Sequence, residues 1–242
     1  MRAPFAPELD LPPPFRLITL REAGDAFAHA QAITSAEGAG AMVWVGRFDL
    51  VEFAVVLEPD EPLRLARRAI YAAMGALGAA LAAHAPPEKP IEFRWPDAVH
   101  VDGALVGGGR LAWAAAAEDQ RPDWLVFGAM IRTATLNDAE PGLYPLSSAL
   151  SEEGFDLDGG RLVESFARQL MLRVDAWQEH GFDFVARDYL PRLAPKTVRA
   201  MIEETGDLVV QHLGDAEAQR RALVPALEHP AWYDPQLRGP RR

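Results

Sequence analysis

The chain has 242 residues, 49% of them hydrophobic, with a formal net charge of −11 and no cysteine. This length and composition are typical of one large globular domain with a sizeable core, or of one domain with a small appendage. The acidic balance argues against a nucleic-acid or membrane partner, since both need a basic surface, and the lack of cysteine excludes disulfides, Cys-ligated zinc and a thiolate nucleophile.

Hydrophobic periodicity predicts alternating strands and helices in the first half of the chain. A proline-rich lead-in occupies residues 1–14. The elements predicted after it are strand 15–20, helix 24–37, strand 41–45, strand 50–57 and helix 62–84. The two strands at 41–45 and 50–57 are separated by a tight connection, so we expect them to form a hairpin.

The second half contains further strands and a strong amphipathic helix. The predicted elements are three short strands within 91–113, strand 123–132, loop 134–151, helix 158–179 and helix 184–190. After Pro191 the pattern weakens to two short strand-like segments, 208–213 and 222–225, and we expect the last ten residues to be frayed. Hairpins in place of regular βαβ units predict an α+β fold, with a mixed, largely antiparallel sheet and helices mainly on one face.

The segment 91–113 carries the most informative motif. Arg94-Trp95-Pro96-Asp97 follows one short strand, and a turn at Asp102-Gly103 precedes three glycines, Gly107 to Gly109. The first element fits either a strand end with a core tryptophan or the wall of a pocket. The glycines fit either a crowded sheet crossing or a backbone surface on which a flat ligand lies. They are not a phosphate-binding loop, because no Lys-Ser/Thr pair follows them.

This motif resembles the central motif of the biotin/lipoate A/B protein ligase family. That family carries Lys-Trp-Pro-Asn-Asp, then an aliphatic strand, a turn, and a lysine shortly before a glycine. Together with the order of elements, the resemblance covers residues 15–193. It implies a class II synthetase-like, biotin/lipoate ligase fold for residues 15–193 and a small C-terminal appendage of the SH3-like β type for residues 194–242.

Enzymes of this family usually form an acyl-adenylate from ATP and pass the acyl group to a lysine of a carrier domain. The resemblance therefore implies a biotin- or lipoate-like acid, ATP with Mg²⁺, and a carrier domain as partner. This chain departs from the family pattern at the reactive lysine, where it has Ala104, and at the Asn-Asp pair, where it has Asp97-Ala98. Its Gly/Arg-rich loop is reduced to Gly46-Arg47-Phe48-Asp49.

The resemblance also implies a set of ligand-binding positions, although no catalytic residue is assigned. These positions are Arg47, Arg94, Trp95, Asp97, Gly107, Gly108, Gly109, Arg110, Gly128 and Arg132. The arginines among them are suited to bind carboxylate or phosphate, but a guanidinium does not reproduce the compact charge of the missing lysine.

Three functions are open at this point. The first is ATP-dependent activation or transfer of a biotin- or lipoate-like carboxylic acid, with weak or altered activity. The second is a catalytically inactive small-molecule-binding or partner protein of the same fold. The third is an interaction module whose pocket is vestigial, and Ala104 favours the second and the third. The six histidines lack paired ligand spacing, so we expect no metal site. No apolar run is long enough for a membrane span and the N-terminal residues lack a signal-peptide pattern, so we expect a cytoplasmic location.

Overall fold

The structure is a computed structural model of the chain. It describes residues 9–22, 24–135, 144, 146–196, 198–212 and 217–242. The predicted lead-in up to residue 8, and residues 136–143 and 145 of the predicted loop, lie outside these ranges.

A seven-stranded sheet forms the centre of the fold. Its strands are β1 (Arg16–Leu20), β2 (Ala41–Gly46), β3 (Leu50–Leu57), β4 (Ile91–Arg94), β5 (Ala98–Val101), β6 (Ala104–Trp113) and β7 (Leu125–Arg132). Their order across the sheet is β1-β2-β3-β7-β6-β5-β4. The β1–β2 pair is parallel and the other pairs are antiparallel, which confirms the predicted α+β class and the β2–β3 hairpin.

Helices and a second group of strands surround this sheet. The helices are α1 (Ala26–Glu37), α2 (Leu63–Ala66), α3 (Ala69–Ala82), α4 (Gly159–His180), α5 (Phe182–Tyr189) and α6 (Leu223–Glu228). The remaining strands are β8 (Val198–Ile202), β9 (Leu208–His212), β10 (Gln219–Arg221), β11 (Tyr233–Asp234) and β12 (Gly239–Pro240). The β8–β10 sheet begins after the predicted boundary at residue 193, yet Ile202 and Leu208 belong to the same core as the main sheet.

The ends of α1 and α4 follow from local chemistry. Asp25 and Asp158 cap the two helices by accepting hydrogen bonds from the backbone N–H groups three residues later, at 2.8 and 3.0 Å. Gly38 and Gly181 end them in conformations of positive φ, which glycine adopts without steric cost.

The long helix predicted at residues 62–84 is divided into α2 and α3. The division lies at Arg67 and Arg68, whose guanidinium groups bind Glu118 at 2.7 Å and Glu61 at 2.8 Å. The backbone N–H of Arg68 bonds to the carbonyl of Leu65, three residues earlier. This three-residue spacing interrupts the α-helical hydrogen-bond pattern there, which the alanine-rich sequence does not indicate.

The two faces of the central sheet differ. On the core face, α3 and α4 pack over side chains that include Phe53 and Phe127. On the opposite face, called the outer face below, α1 covers one half, over Val43 and Ala54. The other half of the outer face is covered by residues 230–242, since Trp232 packs there with Met130.

Two expectations about the C-terminal region are wrong. The last ten residues are not frayed, because β11 and β12 pair with each other and Gly239 and Pro240 are buried. The segment 222–225 is not a strand, since most of it forms the first turn of α6. Pro225 suits a first helical turn, and Asp207 accepts a hydrogen bond from the N–H of Leu223 at 2.8 Å.

The close approach of β6 to β7 predicts a sharp response to substitution at Gly107. A Cβ atom there would lie 1.9 Å from the carbonyl oxygen of Met130, so Gly107→Ala must separate the two strands. We expect a loss of about 3 kcal/mol in the free energy of unfolding, measured by urea denaturation. Gly46→Ala is the matched control, because no atom lies within 4 Å of a Cβ there. Equal stability of the two variants would contradict this prediction.

Candidate functional site

The strand registers place several of the predicted ligand-binding residues on the outer face. Arg94 pairs with Ala98, Ala98 with Gly108, Gly108 with Met130, and Met130 with Glu52. Residues in register across neighbouring strands point to the same side of a sheet. Arg132 and Arg110 lie on this side too, two positions along β7 and β6, so the sheet brings these three predicted arginines to one surface.

Gly108 provides the flat centre of this surface. The indole of Trp232 lies against it, and a Cβ at Gly108 would approach the indole to 2.5 Å. The indole N–H donates a hydrogen bond to the carbonyl of Gly109 at 3.1 Å, and Trp232 is 2% exposed. The space filled by this indole, bordered by Leu50, Ala98, Gly108 and Met130, is called the indole site below.

Asp97 is a buried carboxyl group beside the indole site. It is 2% exposed, and its Oδ2 atom has no hydrogen-bond partner among the described residues. Burial raises its pKa to about 8, against the opposing effect of the neighbouring Trp232 indole. At neutral pH the carboxyl is therefore largely protonated, and it has hydrogen-bonding capacity that the chain itself does not use.

Glu52 is a second buried carboxyl of the outer face, and no motif in the sequence indicates its role. Its Oε1 atom accepts a hydrogen bond at 2.7 Å from the N–H of Ala26, at the start of α1. Burial raises the pKa of Glu52, while the positive charges of Arg110 and Arg47 lower it. The Glu52 carboxyl therefore binds the start of α1, which covers one half of the face, and interacts electrostatically with Arg110 and Arg47.

Three of the predicted arginines are held by the chain itself. Arg47 forms a two-point ion pair with Asp49, at 2.7 and 3.1 Å. Arg110 lies 4.4 Å from the ring centre of Phe27 and 4.4 Å from that of Tyr233, between the two rings.

Arg132, the third of these, is held by backbone carbonyls. It donates to the carbonyls of Ser148, Pro240 and Arg241, at 3.2, 2.9 and 3.1 Å. Arg94 differs from the other three, since it is exposed at the end of β4 and makes no hydrogen bond or ion pair within the described part of the chain.

Other predicted positions point away from the indole site. Trp95 packs against the main core and donates a hydrogen bond to the hydroxyl of Tyr71 at 2.8 Å, on the side of α3. A Cβ at Gly109 would meet Phe127 on the core face. Gly128 lies on the outer face but under Phe27 of α1. The glycines thus serve a crowded sheet crossing at Gly107 and Gly109, and a flat surface at Gly108.

The β5–β6 turn shows what surrounds the position of the missing family lysine. Ala104 begins β6, and the side chain of its neighbour Leu105 packs toward Trp232. Lys89 reaches the same turn, where Asp102 and Glu153 each bind its ammonium group at 2.8 Å. A lysine is therefore near this turn, but two carboxylates already neutralise it.

The described residues contain no metal-ligand cluster and no membrane-spanning helix, and a cavity lies away from the indole site. No group of three or more metal-ligating side chains occurs among the described residues. No helix in the described ranges is both long and apolar enough to cross a bilayer. A cavity of about 600 Å³ lies at the other end of β3, lined by Phe15, Leu57, Leu125 and Trp177.

The family model for the biotin/lipoate A/B protein ligase family matches residues 11–191. The chain belongs to this family. No curated protein sequence matches the chain. Among solved structures, a biotin protein ligase-like protein of unknown function from Silicibacter sp. TM1040 has a TM-score of 0.78 at 24% identity, with 91% of this chain and 99% of that chain covered.

Solved biotin ligases show the same fold at lower identity. The biotin protein ligase from Aquifex aeolicus has a TM-score of 0.61 at 16% identity, covering 86% of this chain and 99% of that chain. The Leishmania major biotin protein ligase, solved in complex with biotinyl-5-AMP, has a TM-score of 0.54 at 12% identity, covering 87% and 99%. At these identities the likeness establishes the ligase-family fold, including the sheet with its outer face.

The residues of this family member do not fit a triphosphate with Mg²⁺. Transfer from ATP needs unoccupied, preorganised cations, whereas Arg47, Arg110 and Arg132 are engaged by the chain. Mg²⁺ needs ionised carboxylates, whereas burial raises the pKa of Asp97 to about 8. No adenylation step therefore follows from this geometry.

Asp97 predicts a specific pH dependence of stability. Because its folded pKa of about 8 lies above the ordinary 3.8, the folded protein binds this proton more tightly than the unfolded chain. Stability is therefore lost as pH rises from about 4 to about 8. We expect Asp97→Asn to remove this loss and to exceed wild type by about 5 kcal/mol at pH 8.5, against about 2 kcal/mol at pH 5.

The measurement is chemical denaturation of both proteins at the two pH values. Asp119→Asn, a change at an exposed aspartate, is the matched control and should follow the wild-type pH profile. If the free-energy curves of Asp97→Asn and wild type run parallel from pH 5 to pH 8.5, the carboxyl is ionised or solvated and this account of Asp97 is wrong.

Proposed function

We propose that the outer face around Gly108 binds a small carboxylic acid of the biotin or lipoate type, or its adenylate, and that the protein does not activate this acid efficiently with ATP. One observation carries the proposal. A strand surface free of side chains lies beside a buried carboxyl, Asp97, whose Oδ2 atom has no hydrogen-bond partner in the part of the chain that the structure describes. A buried polar atom without a partner is costly, and in a binding protein a ligand supplies that partner.

The chemistry of the surface suits such a ligand. The indole site accepts a planar ring that carries an N–H group, as Trp232 demonstrates by donating to Gly109. Leu50, Ala98 and Met130 provide apolar contacts around it. Arg94, at the end of the same cross-strand row, has no hydrogen bond or ion pair with the residues that the structure describes, and it is suited to a carboxylate or phosphate.

The same geometry favours binding over ligation. Ala104 stands where the family has its reactive lysine, and the nearby Lys89 is bound by Asp102 and Glu153. Arg47, Arg110 and Arg132 are held by the chain, so within the described residues Arg94 is the one arginine of the predicted set that is available for a negatively charged group. One cation orients an acid or an adenylate, but it does not stabilise the charge that develops when a triphosphate is cleaved.

Binding is tested by calorimetry and thermal shift with biotin, lipoate, octanoate, ATP with Mg²⁺, and biotinyl-5′-AMP. We expect an acid or its adenylate to raise the melting temperature and ATP with Mg²⁺ to leave it unchanged. A ligand at 100 times its dissociation constant stabilises the folded state by about 2.7 kcal/mol.

A matched pair of variants locates the site. Arg94→Ala should weaken binding by about tenfold or more, because it removes a charge-assisted hydrogen bond. Arg121→Ala, at an exposed arginine at the other end of the sheet, should bind as wild type. Equal losses in both variants, or none in either, would place the ligand elsewhere, and no response to any of the acids would refute the proposed ligand class.

Catalysis is tested by single-turnover adenylate formation with ATP and each acid. We expect wild type to form adenylate at least about 10²-fold more slowly than a variant with a restored lysine, Ala104→Lys or Leu105→Lys. Leu105→Lys is included because the side chain at 105 is the one that packs toward Trp232. Rapid turnover by wild type, unchanged by either lysine, would show an efficient ligase and refute the binding-only function.

A further inference from the structure

The residues after α6 form a structural unit that lies on the proposed binding surface without joining the main sheet. Residues 230–242, called the strap below, pair β11 with β12 inside the unit itself. The N–H of Arg241 bonds to the carbonyl of Trp232 at 2.8 Å, which closes the strap on itself. Every strand pair of the seven-stranded sheet therefore stays intact if the strap leaves.

The strap is attached to the sheet at three places. Trp232 fills the indole site, and Arg132 donates to the carbonyls of Pro240 and Arg241. Tyr233 stacks on the guanidinium of Arg110. Two of these attachments use Arg110 and Arg132, and the third covers the flat surface at Gly108 that the proposed function assigns to a ligand.

With the strap on the outer face, the buried carboxyl of Asp97 is incompletely hydrogen-bonded within the described residues. The indole N–H of Trp232 lies close enough to Asp97 to lower its pKa, but its hydrogen bond of good geometry goes to the carbonyl of Gly109, and Oδ2 has no hydrogen-bond partner among the residues that the structure describes. A permanent core contact would be expected to satisfy that atom, as nearly all buried polar groups are satisfied. When the strap opens, water or a ligand can reach Asp97 and supply the missing hydrogen-bond partner.

We propose that the strap is an internal competitor of the ligand: Trp232 occupies the place of the ligand ring, and binding requires the strap to move off the outer face. This inference rests on the proposed function, because it concerns the same surface. The apparent affinity of wild type is then reduced by the fraction of molecules in which the strap is open. Loss of the Trp232 side chain raises that fraction and therefore the apparent affinity.

The first test needs no ligand and uses wild-type protein. Hydrogen exchange of the amides of Tyr233 and Arg241 is compared with exchange of β7 amides at increasing urea concentrations. We expect the strap amides to exchange through a local opening that depends weakly on urea, and the β7 amides to exchange only on global unfolding. Exchange of both sets through global unfolding alone would overturn the proposal, since the strap would then be a fixed part of the core.

The second test compares the affinities of four proteins for biotinyl-5′-AMP by calorimetry. These are wild type, Trp232→Ala, a chain ending at His229, and Leu237→Ala. Leu237 lies in the strap but is 52% exposed, so its variant is the control and should bind as wild type. We expect Trp232→Ala and the shortened chain to bind at least about tenfold more tightly than wild type. If Trp232→Ala does not fold, the hydrogen-exchange test on wild-type protein still decides whether the strap opens.

The outcomes separate this inference from the proposed function. Equal affinity in wild type and both strap variants would overturn the strap proposal and leave the proposed function standing. Weaker binding in both strap variants would also overturn it, because Trp232 would then be part of the ligand site. Absence of binding in all four proteins would overturn the proposed ligand, and the hydrogen-exchange result would then decide whether the strap opens.

Discussion

The close contact of the chain with the backbone of residues 107–109 is the constraint on which the rest of the structure depends. At Gly107 the strand approaches β7 so closely that a methyl group would lie 1.9 Å from a carbonyl oxygen, and at Gly109 a Cβ would meet Phe127 in the core. At Gly108 the same absence of a side chain gives the outer face a flat area on which Trp232 lies. Sheet, core and candidate site thus share one short stretch of backbone.

Charge placement on the outer face follows from that packing. A flat apolar centre beside two buried carboxyl groups would be unfavourable without cations nearby, and Arg110 and Arg47 partly compensate Glu52. Asp97 has no such cation and is kept protonated by burial instead. In a ligase the arginines would bind the nucleotide. In this protein aromatic rings engage Arg110, backbone carbonyl oxygens engage Arg132, and Asp49 engages Arg47. Family membership and an unusual site are therefore compatible, because a fold fixes where a site lies but not which chemistry it performs.

Much of the fold was predictable because its signals are local. Apolar runs bounded by glycine and proline gave the seven strands of the main sheet, and Asp158 with Gly181 marked the ends of α4. The misjudged elements depend on distant partners: α2 and α3 separate where Arg67 and Arg68 reach Glu118 and Glu61. The last residues looked polar and irregular, and nothing near them in sequence indicates that Arg132 would bind their carbonyls.

The sequence by itself determined the family, the strand that carries the three glycines and the absence of the family lysine. Those features are set by residue identity and by the two-residue period of a strand. Only the tertiary structure decided that Trp95 turns to the core, that Glu52 and Asp97 are buried, and that Trp232 lies on Gly108. These depend on contacts between residues far apart in the chain, such as Trp232 and Gly109, and such contacts leave no periodic trace in the sequence.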